Sequence, residues 1–221
     1  MKELLKKYAH WLLLLYFPLY LAAFYLIEHR ASYKIHIIES TLDQQIPFIE
    51  YFIVPYLLWF FYIAAGVTYF LLMEKESYKR LMAMLMIGMT VFILVSMILP
   101  NGLQLRPAYF VHDNIFVDMT RLLYSADTAT NVFPSIHVFN SAALHTAVVK
   151  SPRLRENRFV SAFSMVLCVS IILSTMFLKQ HSVFDVISGM VLFCLSYGLV
   201  YHDLGERIPV HSTSASIYNH K

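Results

Sequence analysis

Two reactive residue types stand four positions apart at the border between two apolar runs. They are His181 and Asp185, within the stretch STMFLKQHSVFDVISG at 174–189. On a helix this spacing places both side chains on one face, where the carboxylate can hold one imidazole nitrogen and leave the other free to react. Burying such a pair at a membrane boundary is costly, so its partners elsewhere in the chain decide what it does.

A second set of residues could hold an anion close to that pair. Arg106 lies in PNGLQLRP, Ser135 and His137 lie in NVFPSIHV at the start of a helix, and Lys179 precedes His181 by two residues. A serine at this position can cap the helix, whose free first-turn amides attract anions. Arginine adds a planar fork that matches phosphate oxygens. Together these residue types describe a phosphate site.

Composition places the site in a membrane protein. Hydrophobic residues make up 58% of the chain and charged residues 14%, with a mean hydropathy of +0.59, which is too apolar for an ordinary soluble domain. The net charge is +3, but the basic residues are dispersed among loops, so we expect no nucleic-acid partner. Cys168 and Cys194 lie inside apolar runs and are interpreted as buried hydrophobes, which leaves the redox compartment open.

Six apolar segments predict an all-α bundle of six transmembrane helices. Their approximate bounds are 11–27, 47–73, 81–99, 134–149, 159–178 and 183–201. We expect one catalytic domain over 1–205, with an uncleaved first span, and a cytoplasmic tail over 206–221. Between the first two spans, isoleucines and a leucine recur at helical spacing, which fits either a short amphipathic helix at the interface or a plain loop. These residues are Ile35, Ile38, Leu42 and Ile46.

Loop charges predict the orientation of the bundle. With a cytoplasmic N-terminus, twelve of the seventeen basic residues fall on the inside: Lys2, Lys6, Lys7, Lys75, Lys79, Arg80, Lys150, Arg153, Arg155, Arg158, Arg207 and Lys221. By the positive-inside rule both termini are then cytoplasmic. This orientation puts His181 and the 100–133 connection together on the outer face of the membrane.

The three blocks in this order resemble the type 2 phosphatidic acid phosphatase superfamily, the membrane relatives of vanadium haloperoxidases. Arg-Pro, Pro-Ser-x-His and His-x-x-x-Asp carry the resemblance, which covers roughly 99–189. It implies that His181 is the nucleophile, that Asp185 orients it and that His137 is the general acid. It also implies that Arg106 and Ser135, with a lysine, hold the phosphate.

This chain departs from the family pattern at three positions. Leu99 stands where the family has a lysine, Thr175 where it has an arginine, and Ile136 where a glycine separates the serine from the histidine. Ile136 and Thr175 therefore count as altered positions of the expected phosphate site, and we expect Lys179 to supply the missing charge. These departures resemble the branch that includes inositol phosphorylceramide synthases, which pass the phosphoryl group to an alcohol.

The predicted activity is a plasma-membrane lipid phosphatase that needs no metal or cofactor. Its substrate would be a phosphomonoester or pyrophosphate of a lipid, such as phosphatidic acid, phosphatidylglycerophosphate or a polyprenyl pyrophosphate, cleaved through a phosphohistidine. Three alternatives stay open: a phosphotransferase with an alcohol acceptor, a non-enzymatic channel, transporter or assembly protein, and a metal site built from His137, His181 and Asp185. Oligomeric state is not predicted.

Several other polar and aromatic residues have ordinary structural interpretations. His145 is expected to be a packed histidine, and Gly189 to allow close helix contact. The aromatic residues of the second span are expected to face lipid or the interface; they are Tyr56, Trp59, Phe60, Phe61 and Tyr62. The outer connection is expected to carry solvated side chains, namely His112, Asp113, Asp118 and Asp127.

Overall fold

The computed structural model describes residues 8–30 and 34–202, and nearly all regular structure in these ranges is helical. The all-α prediction is therefore confirmed. The predicted 206–221 tail lies outside the described residues. So do five of the basic residues predicted to be cytoplasmic, namely Lys2, Lys6, Lys7, Arg207 and Lys221.

Within the described residues, eight α-helices and two short strands follow one another. They are α1 (Tyr16–Glu28), β1 (His36–Ile37), α2 (Thr41–Gln45), α3 (Ile53–Met73), α4 (Lys75–Ile98), β2 (Asn101–Gly102), α5 (Ile115–Ala126), α6 (Ile136–Lys150), α7 (Arg158–Phe177) and α8 (Val183–Tyr201). The 3₁₀ turns Ala9–Leu15 and Glu50–Phe52 lead directly into α1 and α3. Both cysteines are free thiols; the interpretation as buried hydrophobes is confirmed for Cys168 and wrong for Cys194, which is exposed.

Five helical segments of the described chain are long and apolar enough to cross a membrane, which indicates an integral membrane protein. They are Ala9–Glu28, Glu50–Met73, Lys75–Ile98, Arg158–Phe177 and Val183–Tyr201, with 19 to 24 residues each. The remaining predicted span, 134–149, corresponds to α6, which has only 15 residues. At 1.5 Å per residue α6 is about 22 Å long, against about 30 Å of hydrocarbon. The six-span topology therefore stays a prediction.

Helix α6 lies at the centre of the bundle. Ten of its residues are buried, and it packs against α3, α4, α7 and α8. Gly189 on α8 permits a close approach to the backbone of the α6 cap, because a Cβ atom there would lie 2.7 Å from the carbonyl oxygen of Ser135. The close helix contact expected at Gly189 is confirmed.

The two ends of α6 reach the two ends of the bundle. At its start, the Ser135 amide donates to the Asp185 carbonyl at the beginning of α8, at 3.2 Å. At its end, the Ser151 hydroxyl donates to Glu74, which joins α3 to α4, at 2.5 Å. The short helix and its caps thus extend from one end of the longer helices to the other.

The segment between α1 and α3, here called the strap (residues 34–49), lies across the end of the bundle where α8 begins. β1 pairs in parallel with β2, with His36 opposite Asn101. The five-residue helix α2 starts at a capping box formed by Ser40 and Asp43. A single amphipathic helix over Ile35, Ile38, Leu42 and Ile46, one of the two interpretations left open, is wrong, because strand pairing takes the first part of the segment and the capping box starts a helix only at Thr41.

The 100–133 connection contains a helix that hydropathy alone did not indicate. Asn114 caps α5 by accepting from the amides of Phe116 and Val117, both at 3.0 Å. Behind that cap the apolar residues Ile115, Met119 and Leu122 recur at helical spacing. α5 therefore lies beside α3 as an amphipathic helix in a stretch otherwise interpreted as polar loop.

Candidate active site

Three side chains form a continuous polar chain at the start of α6 and α8. Nδ1 of His181 lies 3.3 Å from Oδ2 of Asp185, and Nε2 of His181 lies 3.4 Å from Nδ1 of His137. His181 is 6% exposed and Asp185 is fully buried. A carboxylate at Nδ1 fixes the imidazole tautomer that carries its proton there, so Nε2 keeps a lone pair.

The turn between α7 and α8 places His181, which does not itself lie on a helix. The amides of Gln180 and His181 both donate to the Thr175 carbonyl, at 2.9 and 3.0 Å, and Lys179 adopts a left-handed conformation with φ of 53°. Ser182 then caps α8, and its amide donates to Oδ2 of Asp185 at 2.8 Å. The expected pairing across one helix face is therefore wrong in detail, because His181 and Asp185 meet through the capping box of α8.

His137 lies in the first turn of α6 between two aromatic rings. The centroid of the Tyr56 ring lies 4.8 Å from that of the imidazole, and that of Trp59 lies 4.3 Å away. The prediction that these aromatics face lipid is wrong for Tyr56, which is 1% exposed, while Phe60 and Phe61 are exposed as expected. Nε2 of His137 is buried and has no hydrogen-bond partner in the described part of the chain.

Ser135 and Ile136 shape the helix start beside His137. Ser135 is fully buried and caps α6, accepting from the Val138 amide at 3.4 Å. Ile136 is the first residue of α6 and contributes its side chain to the wall of an apolar cavity. The first-turn amides of α6 thus start next to the imidazole of His137.

Arg106 reaches the same region through Gln180, the neighbour of His181. Its guanidinium donates to Oε1 of Gln180 at 2.7 Å and to the carbonyls of Asp127 and Tyr124 at 2.8 and 3.1 Å. It also lies over the Tyr124 ring, 4.3 Å from the centroid. None of the ion pairs between described residues includes Arg106. Carbonyl and amide oxygens therefore take the place of a carboxylate partner at this guanidinium.

Two residues of this region were not predicted from the sequence. Gln180 is 4% exposed and supports Arg106. Asp127 was expected to be a solvated loop residue; this is wrong, since it lines the cavity beside His137 and accepts weakly from the Tyr56 hydroxyl at 3.5 Å. Burial raises the pKa of the Asp127 carboxyl, although the charges of His181 and Arg106 act in the opposite direction.

Lys179 lies next to the site but faces the strap. Its ammonium donates to the carbonyl oxygen of Asp43 at 2.7 Å and to that of Ile46. Burial lowers the pKa of Lys179, and the nearby Asp43 charge offsets this in part. The bonds of the Lys179 ammonium thus go to the backbone of the strap, and the turn that carries His181 is tied down by them.

The other departures from the family pattern have structural explanations. The Thr175 hydroxyl donates to the Ile172 carbonyl within α7, at 2.7 Å, and the side chain is fully buried. Leu99 ends α4, and its carbonyl accepts from the Asn101 side chain at 2.9 Å. Neither side chain supplies charge. His145 bonds to Ser164 at 3.0 Å, as expected for a packed histidine.

A cavity of about 880 Å³ opens beside the histidine pair. Its walls come from α1, α3, α5 and the start of α6, with one residue of α4, and its lining is mostly apolar. Phe17, Leu21 and Phe24 are contributed by α1, while Asp127, His137 and Asn140 form a polar part. A long apolar space with one polar part suits an amphiphile whose headgroup meets His137.

The arrangement of polar groups supports transfer of a phosphoryl group. An oriented imidazole can act as nucleophile, a second imidazole can move protons, and a guanidinium with a helix start can hold oxyanions. Within residues 8–30 and 34–202, no three His, Cys, Asp or Glu side chains are arranged to hold a metal ion.

Comparison with known proteins gives one match. The family model of the PAP2 superfamily matches residues 80–209, which contain α6, α7, α8 and Arg106. A search of the curated proteins and a search of the solved structures each found no match. The strap and α1 lie before the matched residues.

Proposed function

The chain belongs to the PAP2 superfamily, whose members are phosphoesterases, and on this premise we propose that it is a membrane-embedded lipid phosphatase. It hydrolyses a phosphomonoester or pyrophosphate of a lipid, such as phosphatidic acid, phosphatidylglycerophosphate or a polyprenyl pyrophosphate. The observation that carries the proposal is the chain from Asp185 through His181 to His137, at the edge of a large apolar cavity.

The first half of the reaction transfers the phosphoryl group to the enzyme. Asp185 holds the proton on Nδ1 of His181, and the Nε2 lone pair attacks phosphorus. The bond from phosphorus to the lipid oxygen breaks, and His137 in its protonated form delivers a proton to that oxygen. The products of this step are a free lipid alcohol, or a lipid monophosphate from a pyrophosphate, and phosphohistidine at His181.

The second half releases phosphate. His137, now neutral, takes a proton from water while the water oxygen attacks phosphorus and the bond to Nε2 of His181 breaks. Inorganic phosphate leaves, and His137 is again protonated. One imidazole thus serves as the acid in the first half and as the base in the second.

Arg106 and the start of α6 hold the phosphate oxygens in this proposal. Arg106 carries a charge without a carboxylate partner among the described ion pairs. Ser135 fixes the first turn of α6, whose free amides favour negative charge. Fixed donors aimed at the transferring group supply most of the rate in phosphoryl transfer. Lys179 contributes by shaping the His181 turn, since its bonds go to the strap.

The membrane arrangement belongs to the same proposal. Because α6 and its caps reach both ends of the bundle, we infer six crossings in which α6 is shielded from lipid by its neighbours. The end opposite the site carries most of the described basic residues near helix ends: Lys75, Lys79, Arg80, Lys150, Arg153, Arg155 and Arg158. By the positive-inside rule that end and both termini are cytoplasmic, and His181 is at the outer face of the plasma membrane.

Transfer to an alcohol in place of water is the second candidate, favoured by one observation. Asp127 lies in the same cavity as His137, and its carboxylate could hold the hydroxyl of an acceptor lipid. Analysis of products in the presence of ceramide or another lipid alcohol distinguishes the two: free phosphate indicates hydrolysis, and a new phospholipid indicates transfer.

The deciding experiment measures turnover by the purified protein and by a His181→Ala variant. Phosphatidic acid, phosphatidylglycerophosphate and undecaprenyl pyrophosphate are supplied separately, each with and without EDTA. We expect phosphate release that EDTA leaves unchanged and that His181→Ala abolishes. Full activity in the variant contradicts the enzyme assignment and favours a transporter or assembly protein, and inhibition by EDTA contradicts the metal-free mechanism.

A further inference from the structure

Asp43 is a buried carboxylate that the proposed reaction does not use. It is 2% exposed and lies in α2, within the strap. The family match begins at residue 80, so Asp43 lies outside the part of the chain that the match covers. A charged group is rarely buried to this degree unless it is paired or fully hydrogen-bonded.

The partners of Asp43 are the residues that flank His181. Oδ2 of Asp43 accepts from the Ser182 hydroxyl at 2.6 Å, and Oδ1 accepts from the Val183 amide at 2.8 Å. On the other side of His181, the Lys179 ammonium donates to the Asp43 carbonyl at 2.7 Å. The turn is therefore fixed to the strap both before and after the histidine.

The same contacts reach the carboxylate that orients His181. Ser182 donates its hydroxyl to Asp43 and its backbone amide to Asp185, at 2.6 and 2.8 Å. Asp43 also lies at the start of α8, where the free amides of the first turn favour a negative charge. Displacing Asp43 would therefore release Ser182 and, with it, the position of Asp185.

The strap contacts the Arg106 side of the site as well. His36 donates its amide to the Pro100 carbonyl at 2.8 Å, and the Gln104 amide donates to Glu39 at 2.6 Å, two residues before Arg106. One short segment thus bonds to the stretch that carries the phosphate-holding arginine and to the turn that carries the nucleophile.

We propose that Asp43 is a positioning residue that holds His181 in line for attack. The strap, through the same contacts, fixes the position of the His181 turn relative to Arg106. This inference rests on the proposed phosphatase function, in which His181 is the nucleophile. Asp43 touches neither substrate nor reacting atoms, and its effect passes through Ser182 and Asp185. Misplacing a nucleophile by about 1 Å can cost about a hundredfold in rate, while an intact Arg106 keeps substrate binding.

The test compares Asp43→Asn with Asp113→Asn, the same change at an aspartate of the 100–133 connection whose side chain is 91% exposed. With dioctanoylphosphatidic acid as the probe, we expect Asp43→Asn to lower kcat by about tenfold to a hundredfold with KM changed less than about threefold. Asp113→Asn should behave as wild type. If Asp43→Asn lowers only the yield of folded protein, and kcat per folded molecule is unchanged, Asp43 is merely structural and the proposal is overturned.

A second pair of variants covers the case in which Asp43→Asn does not fold. Ser182→Ala removes the hydroxyl that binds Asp43, while Ser182→Thr keeps it, so activity should fall in the first and be rescued in the second. Because both residues act through one contact, the kcat loss of Ser182→Ala combined with Asp43→Asn should be no larger than about that of the stronger single variant. Independent, multiplying losses contradict the shared contact.

Hydrogen exchange separates this proposal from the activity assignment. We expect the peptide covering 178–186 to exchange faster in Asp43→Asn than in wild type, with peptides of α4 unchanged. If the wild type hydrolyses no phospholipid tested, the proposed function fails, and this measurement still decides whether Asp43 holds the turn. Unchanged exchange at 178–186 refutes the positioning role even in an active enzyme.

Discussion

Nε2 of His181 and Nδ1 of His137 lie 3.4 Å apart, with the imidazole of His181 between His137 and Asp185. Two ring nitrogens at that distance leave no room for a phosphorus atom and its oxygens. In the proposed reaction, the phosphoryl group must therefore enter by separating the two rings. His137 lines the free cavity, whereas His181 is held by the turn and by Asp185, so we expect the His137 ring to be the one that moves.

The first prediction concerns the orienting carboxylate. Asp185→Asn leaves a side chain of the same shape but allows the wrong imidazole tautomer, so kcat should fall by about a hundredfold to ten-thousandfold with KM nearly unchanged, as in other oriented-histidine enzymes. Steady-state kinetics with phosphatidic acid measure this. Asp113→Asn, the same change at an aspartate whose side chain is 91% exposed, serves as the control; equal losses in both variants contradict an orienting role.

The second prediction separates the two proton transfers of His137. The leaving group of p-nitrophenyl phosphate needs no proton, so in His137→Gln this substrate should still transfer its phosphoryl group to His181. Hydrolysis of the phosphohistidine should then be slow, because no base activates water. We expect a burst of about one nitrophenolate per active site, followed by slow turnover. With an alkyl phosphate the burst should be absent. Rapid steady turnover of both substrates excludes His137 as the acid and base.

The third prediction concerns Arg106, whose planar fork contacts Gln180 and two carbonyls. Lysine keeps the charge but cannot reproduce this geometry, so Arg106→Lys should raise the inhibition constant of orthophosphate by about tenfold. Gln180→Ala should weaken binding less, since it removes only one support of the guanidinium. Inhibition by orthophosphate in steady-state assays gives both values, and an unchanged constant in Arg106→Lys places the phosphate elsewhere.

Hydropathy and spacing predicted the long helices well because five of them are continuous apolar runs bounded by charged or turn residues. The same signal missed α5, whose apolar residues occupy only one face and whose strongest mark is the capping residue Asn114. It also could not tell which face of α3 is buried. Tyr56 and Trp59 stand three residues apart on one face, and that spacing was the available sign of their shared contact with His137.

The sequence motifs identified His181, Asp185 and His137 as members of one site because each block is local and lies at a helix boundary. Asp43 could not be found in this way, since its partners Ser182 and Val183 are about 140 residues away in the chain. Lys179 was expected to replace a missing charge, but sequence proximity to His181 does not fix the direction of a side chain.

The fourth prediction uses the pH dependence of Asp127. Burial raises the pKa of this carboxyl above 3.8 in the folded protein, so the folded state binds the proton more tightly than the unfolded state does. Stability from this group is therefore greatest at low pH and falls as pH rises through the folded pKa. Asp127→Asn should raise the unfolding temperature at neutral pH, and this gain should shrink as the pH is lowered toward 4.

Activity gives a separate measurement on the same variant. Removing a negative charge near Arg106 should lower KM for an anionic lipid by about threefold, the size of a screened charge interaction. Asp118→Asn, an exposed aspartate on α5, is the control. If Asp127→Asn loses activity only when an alcohol acceptor is supplied, the transferase function gains support over hydrolysis.

The fifth prediction places the hydrocarbon chains of the substrate in the cavity between α1, α3 and α5. Ala64 lines this cavity, so Ala64→Phe should obstruct a long chain while leaving the histidines untouched. We expect kcat/KM for dipalmitoylphosphatidic acid to fall about tenfold or more, the effect of a few blocked methylene contacts, with p-nitrophenyl phosphate unaffected. Ala162→Phe, at an exposed position of α7, adds the same ring away from the cavity and should change neither substrate. Equal losses on both substrates in Ala64→Phe would instead mean that the ring disturbs His137, and no loss on either would place the chains outside the cavity.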